Sequence, residues 1–394
     1  MLSTIRLFME MIMNQEQILG SVATDMSSDI ETTLRPYYFT ANRAKQLGRT
    51  AFHPDTSTLW CSLPASGIAF GFRGTTCILR LTADSAYQTG TAAAVRYAVY
   101  LNDKLISDAQ LLEPERTVIL HSNGDMISWV RLIKLSEAGH SALGIRGICI
   151  MASPEVQQNE QQNIFVPAAP KPYLIEFIGD SITCGYGIDG QNGEVFQTAN
   201  ENAEKSFAYL TAKQLNVDYS MVSYSGYGII SGYTADGIAN IQHLLPPFYS
   251  LIGHGSAIIE KRRRIDEDCW DFSIQPDLIV INLGTNDASF TGTDSEKQNG
   301  FAKAYCSFLK TIRDKNPASP ILCTLGIMGQ TLCDAVELAV SRYITETCDS
   351  NIRTMRFAMQ SESDGIAVDC HPSAVTHEKA AARLCNEIRV WLGW

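Results

Sequence analysis

Four short blocks of the chain contain the small, polar and ionisable residues that acyl-transfer chemistry needs. A serine hydroxyl is a weak nucleophile until a base removes its proton, and the tetrahedral intermediate that follows needs hydrogen-bond donors aimed at its oxyanion. Ser181 is the candidate nucleophile and His371 is the candidate base. The blocks are Gly179-Asp180-Ser181, Ser225-Gly226, Gly284-Thr285-Asn286-Asp287 and Asp369-Cys370-His371.

Three donors in these blocks are suited to an oxyanion hole. They are the backbone N–H groups of Ser181 and Gly226 and the side-chain amide of Asn286. The base also needs a partner that fixes its tautomer, because the ring nitrogen facing the serine must be free to accept the proton. Asp369, two residues before His371, is the predicted orienting carboxylate, and the alternative is a backbone carbonyl.

The blocks lie beside segments that have the patterns of strands and helices. Short apolar runs predict buried strands and amphipathic segments predict helices, and the two kinds alternate from residue 173 onward. This alternation predicts a mostly parallel sheet with helices on both faces, whose ligands bind at the carboxyl ends of the strands. The predicted strands span residues 173–178, 219–223, 278–282, 321–324 and 352–357, and the predicted helices span residues 206–215, 296–314, 334–347 and 373–392.

The first half of the chain has a different pattern, with short strands, glycines and polar turns. The turns Asn102-Asp103 and Asn123-Gly124 separate segments rich in β-branched and aromatic residues, and this pattern predicts an antiparallel β-sandwich or jelly roll. A run rich in Gln, Asn and Pro follows and predicts a linker. The predicted units are a leader (1–34), a sandwich (35–150), a linker (151–172) and an α/β domain (173–394).

Composition excludes several classes of partner. The chain has 394 residues, with 31 Lys and Arg against 42 Asp and Glu, and its net charge of −11 argues against nucleic acid or an anionic membrane. No apolar stretch reaches the roughly 18 residues of a membrane-spanning helix. The N-terminus lacks the basic start and long apolar core of a secretory signal, so a cytoplasmic location is expected. The sequence leaves the oligomeric state open.

The eleven cysteines include no Cys-x-x-Cys pair, and the histidines lack partners at metal-ligand spacing. The sequence therefore predicts no metal site, no cofactor and no disulfide framework.

The blocks resemble those of the SGNH (GDSL-like) hydrolase superfamily. The stretch from Phe177 to Gly187 and the segment Asp369-Cys370-His371-Pro372 are similar to carbohydrate esterase family 2, and the stretch from Leu47 to Thr50 resembles that family's start. The resemblance implies a jelly-roll domain before a three-layer α/β/α domain. It also implies metal-independent removal of O-acetyl groups from xylan and glucomannan. Much of the superfamily has an aspartate three residues before the histidine, where this chain has Val368.

Two other functions stay open at this stage. One is a lipid or thioester acyl hydrolase on the same scaffold, which needs an apolar tunnel instead of a small polar pocket. The other is a carbohydrate-binding protein without catalytic activity. Three aromatic residues near the blocks, Tyr186, Tyr227 and Trp270, are candidate platforms for sugar rings, although core aromatics have the same pattern in sequence.

Overall fold

The computed structural model describes residues 35–124, 126–152 and 164–394. The predicted leader, residues 1–34, and residues 153–163 of the predicted linker lie outside the described residues. Two antiparallel sheets build the first half and a parallel sheet builds the second. In the described part of the chain, no helix is both long enough and apolar enough to cross a membrane.

The first half is an antiparallel sandwich. One sheet has the order β3-β4-β11-β6-β9, with β1 also paired to β11, and the other has the order β12-β5-β10-β7-β8, with β2 also paired to β5. The strands are β1 (Arg35–Phe39), β2 (Lys45–Leu47), β3 (Thr50–His53), β4 (Thr58–Cys61), β5 (Gly67–Phe72), β6 (Thr76–Ala83), β7 (Arg96–Leu101), β8 (Lys104–Gln110), β9 (Glu115–His121), β10 (Ser128–Lys134), β11 (Leu143–Ala152) and β12 (Phe165–Pro167).

Turn chemistry and apolar side chains explain the sandwich. Asn102 and Asp103 both have positive φ, +50° and +61°, as a two-residue turn between twisted strands requires, and they join β7 to β8. Phe70, Leu132 and Ile148 are among the side chains that fill the space between the sheets. The strand β12 lies within the predicted linker and pairs with β5, so this segment completes the sandwich.

The second half has a five-stranded parallel sheet in the order β14-β13-β17-β18-β19. Its central strands are apolar and buried along their length, because helices cover both faces. Its strands are β13 (Leu174–Gly179), β14 (Asp218–Ser223), β17 (Leu278–Asn282), β18 (Ile321–Leu325) and β19 (Ile352–Arg356), and a small hairpin has β15 (Ile258–Glu260) and β16 (Arg263–Arg264).

Helices pack on both faces of this sheet, as predicted. The helices are α1 (Ser181–Cys184), α2 (Phe207–Leu215), α3 (Thr285–Thr291), α4 (Ser295–Lys315), α5 (Cys333–Thr347) and α6 (Ala374–Leu392). One core cluster includes residues of α4 and α5, and another includes residues of α2 and α6. The side chains of Ser206, Asp294 and Ser373 cap α2, α4 and α6, which fixes where these helices begin.

Complementary charges join the two halves. In each of several ion pairs the cation belongs to the sandwich and the acid to the α/β half. These pairs are Lys45–Asp218, Arg49–Glu176, Arg96–Asp189 and Arg131–Glu204. Apolar contact is continuous as well, because Ile133 and Leu135 belong to the same core cluster as Ile175 and Phe177. The domain junction is thus built as protein interior.

The pair between Arg49 and Glu176 is the most deeply buried of these. Arg49 has no exposed surface, and two of its nitrogens lie 3.0 and 3.2 Å from the Glu176 carboxylate. Its third nitrogen donates to the carbonyl of Tyr249 at 2.5 Å, and the Tyr249 hydroxyl donates to Glu176 at 2.9 Å. Every charge is therefore matched by hydrogen bonds, which is the condition for a stable buried pair.

Removing one partner of this pair is expected to destabilise the protein strongly. In Arg49→Met, Glu176 keeps its burial but loses its counter-charge, so the free energy of unfolding should fall by about 3–5 kcal/mol. Urea titration followed by circular dichroism measures the change.

The matched control is Arg356→Met, which removes an arginine that pairs with Asp334 and Glu337 at the surface. Exposed pairs contribute about 0–1 kcal/mol, so this variant should unfold close to the wild type. Equal losses in the two variants would contradict the assignment of Arg49 as the buried anchor of the domain junction.

Candidate active site

The carboxyl edge of the parallel sheet brings the four blocks together. Ser181 follows β13, Gly226 follows β14, Asn286 follows β17, and His371 lies between β19 and α6. All four line one cavity of about 760 Å³. Loops from separate strands therefore meet at the edge where ligands of such sheets bind.

The candidate nucleophile and base are in direct contact. His371 Nε2 lies 2.8 Å from Ser181 Oγ. Burial lowers the pKa of His371 below its ordinary value, although two backbone carbonyls act in the opposite direction. When the ring proton is on Nδ1, the two backbone carbonyls accept its hydrogen bond. Nε2 then has a free lone pair that faces the serine hydroxyl. This is the protonation state that a general base requires.

The structure gives the orienting role to the backbone and not to the Asp369 carboxylate, which differs from the expectation. His371 Nδ1 lies 3.1 Å from the Val368 carbonyl and 3.2 Å from the Asp369 carbonyl. The Asp369 carboxylate instead accepts a hydrogen bond from the Tyr186 hydroxyl at 2.8 Å. Asp369 has a left-handed backbone conformation, with φ of +51°. In this loop its carbonyl faces the imidazole, and its side chain accepts the hydrogen bond from Tyr186.

Several hydrogen bonds hold this loop in its conformation. Cys370 is also left-handed, with φ of +62°, and consecutive non-glycine residues of this kind persist only where neighbours over-determine them. Gln360 donates to the Cys370 carbonyl at 2.8 Å, and the Ala367 N–H donates to the His371 carbonyl at 2.9 Å. The base is thus fixed by backbone geometry.

The three predicted oxyanion donors face the same cavity. Within the described residues, no acceptor bonds the N–H of Ser181 or of Gly226. Asn286 Nδ2 donates one hydrogen to the Tyr227 carbonyl at 2.7 Å. Its second hydrogen has only a long contact, with an Asp180 oxygen at 3.4 Å. The arrangement fits the predicted roles, and these roles stay predictions.

Two buried carboxylates organise the loops around these donors. Asp180 caps α1 by accepting the Ile182 N–H, and burial raises the pKa of Asp180 to about 7. Asp287 accepts the successive N–H groups of residues 229–231, and burial raises the pKa of Asp287 to about 6 despite these bonds. Each acid therefore serves loop geometry.

The aromatic candidates divide into two groups. Tyr186 and Tyr227 line the cavity. The Tyr186 ring stacks on Phe196 at 3.9 Å and lies 4.4 Å from the His371 ring. The prediction that Trp270 belongs to the site is wrong, because Trp270 precedes β17 and lines a different cavity beside Glu176 and Pro276. There its ring lies 5.5 Å from the Arg49 guanidinium.

Sequence reasoning missed residues that the sandwich contributes to the cavity. Glu137 and His140, from the loop after β10, line it together with Phe196, Tyr233 and His243. His140 lies 3.4 Å from the Glu137 carboxylate, which raises the pKa of His140 although burial lowers it. Nothing in one sequence shows that this loop reaches a site built by the other half.

One group of ligand-type side chains lies beneath the cavity. Glu137, Cys184 and Glu201 are buried, with ligand atoms within 4.8 Å of one another. Burial raises the pKa of the Cys184 thiol, and a protonated thiol is a poor metal ligand. The buried ammonium of Lys134 interacts with both glutamates and already supplies a positive charge. The two glutamates of this group thus have a cation of the protein itself beside them.

Comparison with known proteins identifies the families that the two halves match. Residues 177–379 match the GDSL-like Lipase/Acylhydrolase family, and residues 46–158 match the N-terminal domain of carbohydrate esterase 2. The chain belongs to the GDSL-like lipase/acylhydrolase family and carries a carbohydrate esterase 2 N-terminal domain. The resemblance inferred from the motifs is therefore confirmed, as is the fold class.

Individual relatives share both halves. The chain is 27% identical over 360 residues to an acetylxylan esterase/glucomannan deacetylase of Cellvibrio japonicus, covering 88% of each. It is 37% identical over 235 residues to a cellulase/esterase of Acetivibrio thermocellus, covering 58% of this chain but only 27% of that longer protein. The structure of an acetyl xylan esterase from Butyrivibrio proteoclasticus superimposes with a TM-score of 0.78 at 24% identity, over 92% of this chain and 99% of that one.

The backbone assignment predicts a small effect for Asp369→Asn. The variant keeps both carbonyls at His371 and an acceptor for Tyr186, so kcat should fall by no more than about tenfold. A carboxylate that fixed the tautomer would give a loss of about 10,000-fold. Steady-state hydrolysis of p-nitrophenyl acetate measures kcat, and His371→Ala, expected to be nearly inactive, is the control.

The pKa of His371 predicts the acid limb of activity. The base works only when its imidazole is neutral, so activity falls as pH drops through its pKa. Because burial lowers this pKa, the limb in kcat/KM should lie below the ordinary histidine value of about 6.5. A profile of kcat/KM across the acidic range checks this, and a midpoint above that value would contradict it.

Proposed function

We propose that the protein is a carbohydrate O-acetyl esterase that deacetylates hemicellulose oligosaccharides, such as acetylated xylan and glucomannan, through a serine acyl-enzyme. The observation that carries the proposal is the 2.8 Å contact between Ser181 Oγ and His371 Nε2 inside a cavity faced by oxyanion donors. The relatives named above support the acetylated carbohydrate as substrate.

The first half of the reaction is acylation. His371 Nε2 takes the hydroxyl proton of Ser181 as Oγ attacks the acetyl carbonyl carbon. The carbonyl oxygen becomes an oxyanion, which accepts from the N–H groups of Ser181 and Gly226 and from Asn286. The ester C–O bond then breaks, and His371 returns the proton to the departing sugar oxygen. The sugar leaves with a free hydroxyl and Ser181 carries the acetyl group.

The second half repeats these steps with water. His371 removes a proton from a water molecule that attacks the acetyl carbonyl carbon, and the same donors stabilise the second oxyanion. The bond to Ser181 Oγ breaks, His371 returns the proton to Oγ, and acetate leaves. All proton transfers use Nε2 alone, because Nδ1 stays bonded to the backbone carbonyls.

The cavity lining favours a sugar over a long acyl chain. Among the described residues that line it, Met328 has the single aliphatic side chain, and the others are mostly polar or aromatic. Polar groups and aromatic rings suit a sugar, whose hydroxyls need hydrogen bonds and whose faces pack on rings. A lipid or thioester hydrolase would need an apolar path for the chain.

The contact between nucleophile and base also argues against a catalytically silent binding protein. A protein that only bound sugar would have no use for a serine that is 5% exposed and bonded to a histidine of lowered pKa. The contact between Ser181 and His371 therefore supports a catalytic role over binding alone.

Mass spectrometry of acetylated xylo- and manno-oligosaccharides is the decisive experiment. The wild type should remove one C2H2O unit for each acetyl group, whereas Ser181→Ala should lose essentially all turnover because the nucleophile is gone. The control Ser307→Ala, on the exposed side of α4, should act like the wild type. Unchanged oligosaccharide masses with the wild type would overturn the proposal.

Chain length separates the esterase from the lipid hydrolase. Rates on p-nitrophenyl acetate should exceed those on p-nitrophenyl octanoate, since among the described residues that line the cavity Met328 alone offers an aliphatic side chain to a longer chain. A faster rate on the octanoate ester would instead favour the lipid hydrolase.

A further inference from the structure

A carboxylate from the sandwich contacts the loop that carries one of the oxyanion donors. The Ser225 N–H donates to Glu137 Oε2 at 2.6 Å. Glu137 is only 2% exposed, and the Cys184 thiol is its further neighbour, at 3.6 Å from the same oxygen. The contact crosses the domain junction and lies one residue before Gly226.

The position of this bond bears directly on the Gly226 donor. The Gly226 carbonyl accepts from the Tyr233 N–H at 2.8 Å. The Ser225 N–H before the Gly226 N–H is therefore bonded to Glu137, and the Gly226 carbonyl after it is bonded to Tyr233. The Gly226 N–H itself stays unpaired among the described residues. Gly226 has a left-handed backbone conformation, with φ of +79°, and no atom lies within 4 Å of the position that a Cβ would occupy. Hydrogen bonds, and not side-chain packing, therefore hold the backbone at this residue.

The surroundings of Glu137 keep its carboxylate negative. Burial raises the pKa of Glu137, but the ion pair with His140 and the hydrogen bond from the Ser225 N–H outweigh it, and the pKa lies below its ordinary value. The neighbouring Glu201 has the opposite shift, since burial and the charge of Glu137 raise the pKa of Glu201 to about 8. The charge therefore resides on the carboxylate that holds Ser225.

A charged acceptor holds a backbone N–H more strongly than a neutral one does. Hydrogen bonds to charged groups are roughly twice as strong as those between neutral groups. An oxyanion donor works only if it is already in place when the charge forms, because reorganisation would cost part of the stabilisation. Fixing the peptide before Gly226 thus matters most in the transition state.

We propose that Glu137 is a positioning residue of the esterase site, through which the sandwich domain holds the loop at Ser225 and aims the Gly226 N–H at the oxyanion. The inference rests on the proposed function, because it assigns Gly226 its role as a donor. It makes the sandwich a part of the catalytic apparatus and not only a wall of the cleft.

The test is Glu137→Gln in the full chain, assayed on p-nitrophenyl acetate. Glutamine keeps the shape and an acceptor oxygen but loses the charge, so kcat should fall about ten- to a hundredfold. KM should stay near the wild-type value, since a donor that acts on the oxyanion does not bind the ground state. A role limited to domain packing would lower the melting temperature and leave kcat unchanged.

The matched control is Glu260→Gln. Glu260 also bonds a histidine across the domain junction, with His53 Nδ1 at 3.2 Å, and it accepts from Trp60 Nε1 at 2.8 Å. It lies outside the cavity lining, so the same substitution there should leave kcat and KM unchanged. A loss of kcat in both variants would point to the domain junction in general and would overturn the proposal.

A second variant covers the case in which Glu137→Gln does not fold. Glu137→Asp keeps the charge that pairs with His140 but draws the carboxylate back by about 1.5 Å, one C–C bond, so kcat should again fall with KM held. A wild-type kcat in either folded variant, or a rise confined to KM, would overturn the assignment.

Ser181→Ala, measured alongside, separates this inference from the proposed function. If Ser181→Ala is inactive while Glu137→Gln acts like the wild type, only the role of Glu137 fails. If Ser181→Ala keeps its turnover, the serine mechanism itself fails.

Discussion

The hydrogen bond between Ser181 Oγ and His371 Nε2 is the contact that the rest of the structure holds in place. The two residues lie 190 positions apart in the chain, yet their reacting atoms are 2.8 Å apart. They meet because parallel strands that are distant in sequence end at one edge of one sheet. The buried apolar strands and the helices on both faces hold that edge in place.

Buried carboxylates set the geometry around this contact. Asp180 caps the turn at Ser181, Asp287 gathers the N–H groups of residues 229–231, and Glu137 holds Ser225 from the other domain. Each accepts backbone N–H groups beside a catalytic element instead of touching the reacting atoms. The site is therefore built from loops whose shape is set by a few buried carboxyl groups that accept backbone N–H groups.

Much of the fold and the centre of the site could be predicted from the sequence. The chemistry of acyl transfer restricts the residue types, so Ser181, Gly226, Asn286 and His371 stood out, and the structure places all four at one cavity. Apolar periodicity located the long helices to within a residue or two, because this signal is local. Several strands of the sandwich were missed, among them β8, which is largely exposed, and β11, which is interrupted by Gly144 and Gly147.

The remaining features depend on geometry that residue types do not encode. Whether the side chain or the carbonyl of Asp369 faces His371 is set by a left-handed φ, which the sequence does not show. Trp270 was misplaced because it is near the blocks in sequence, and this was taken to mean that it lies near the cavity. Trp270 precedes β17, whereas the blocks follow their strands. Glu137 and His140 reach the cavity only through the docking of two domains, which no local pattern reports.

The one-sided charge pattern at the domain junction has a consequence for how the protein is made. The ribosome produces the sandwich first, so Lys45, Arg49 and Arg131 leave the ribosome before their acidic partners exist. Arg49 can be buried only after Glu176 has been synthesised, and Arg131 has to wait for Glu204. Early folding of the sandwich thus leaves a cationic face in water until the second half docks on it. Because the same docking seats Glu137 against Ser225, the working site is completed only after the second half has been synthesised.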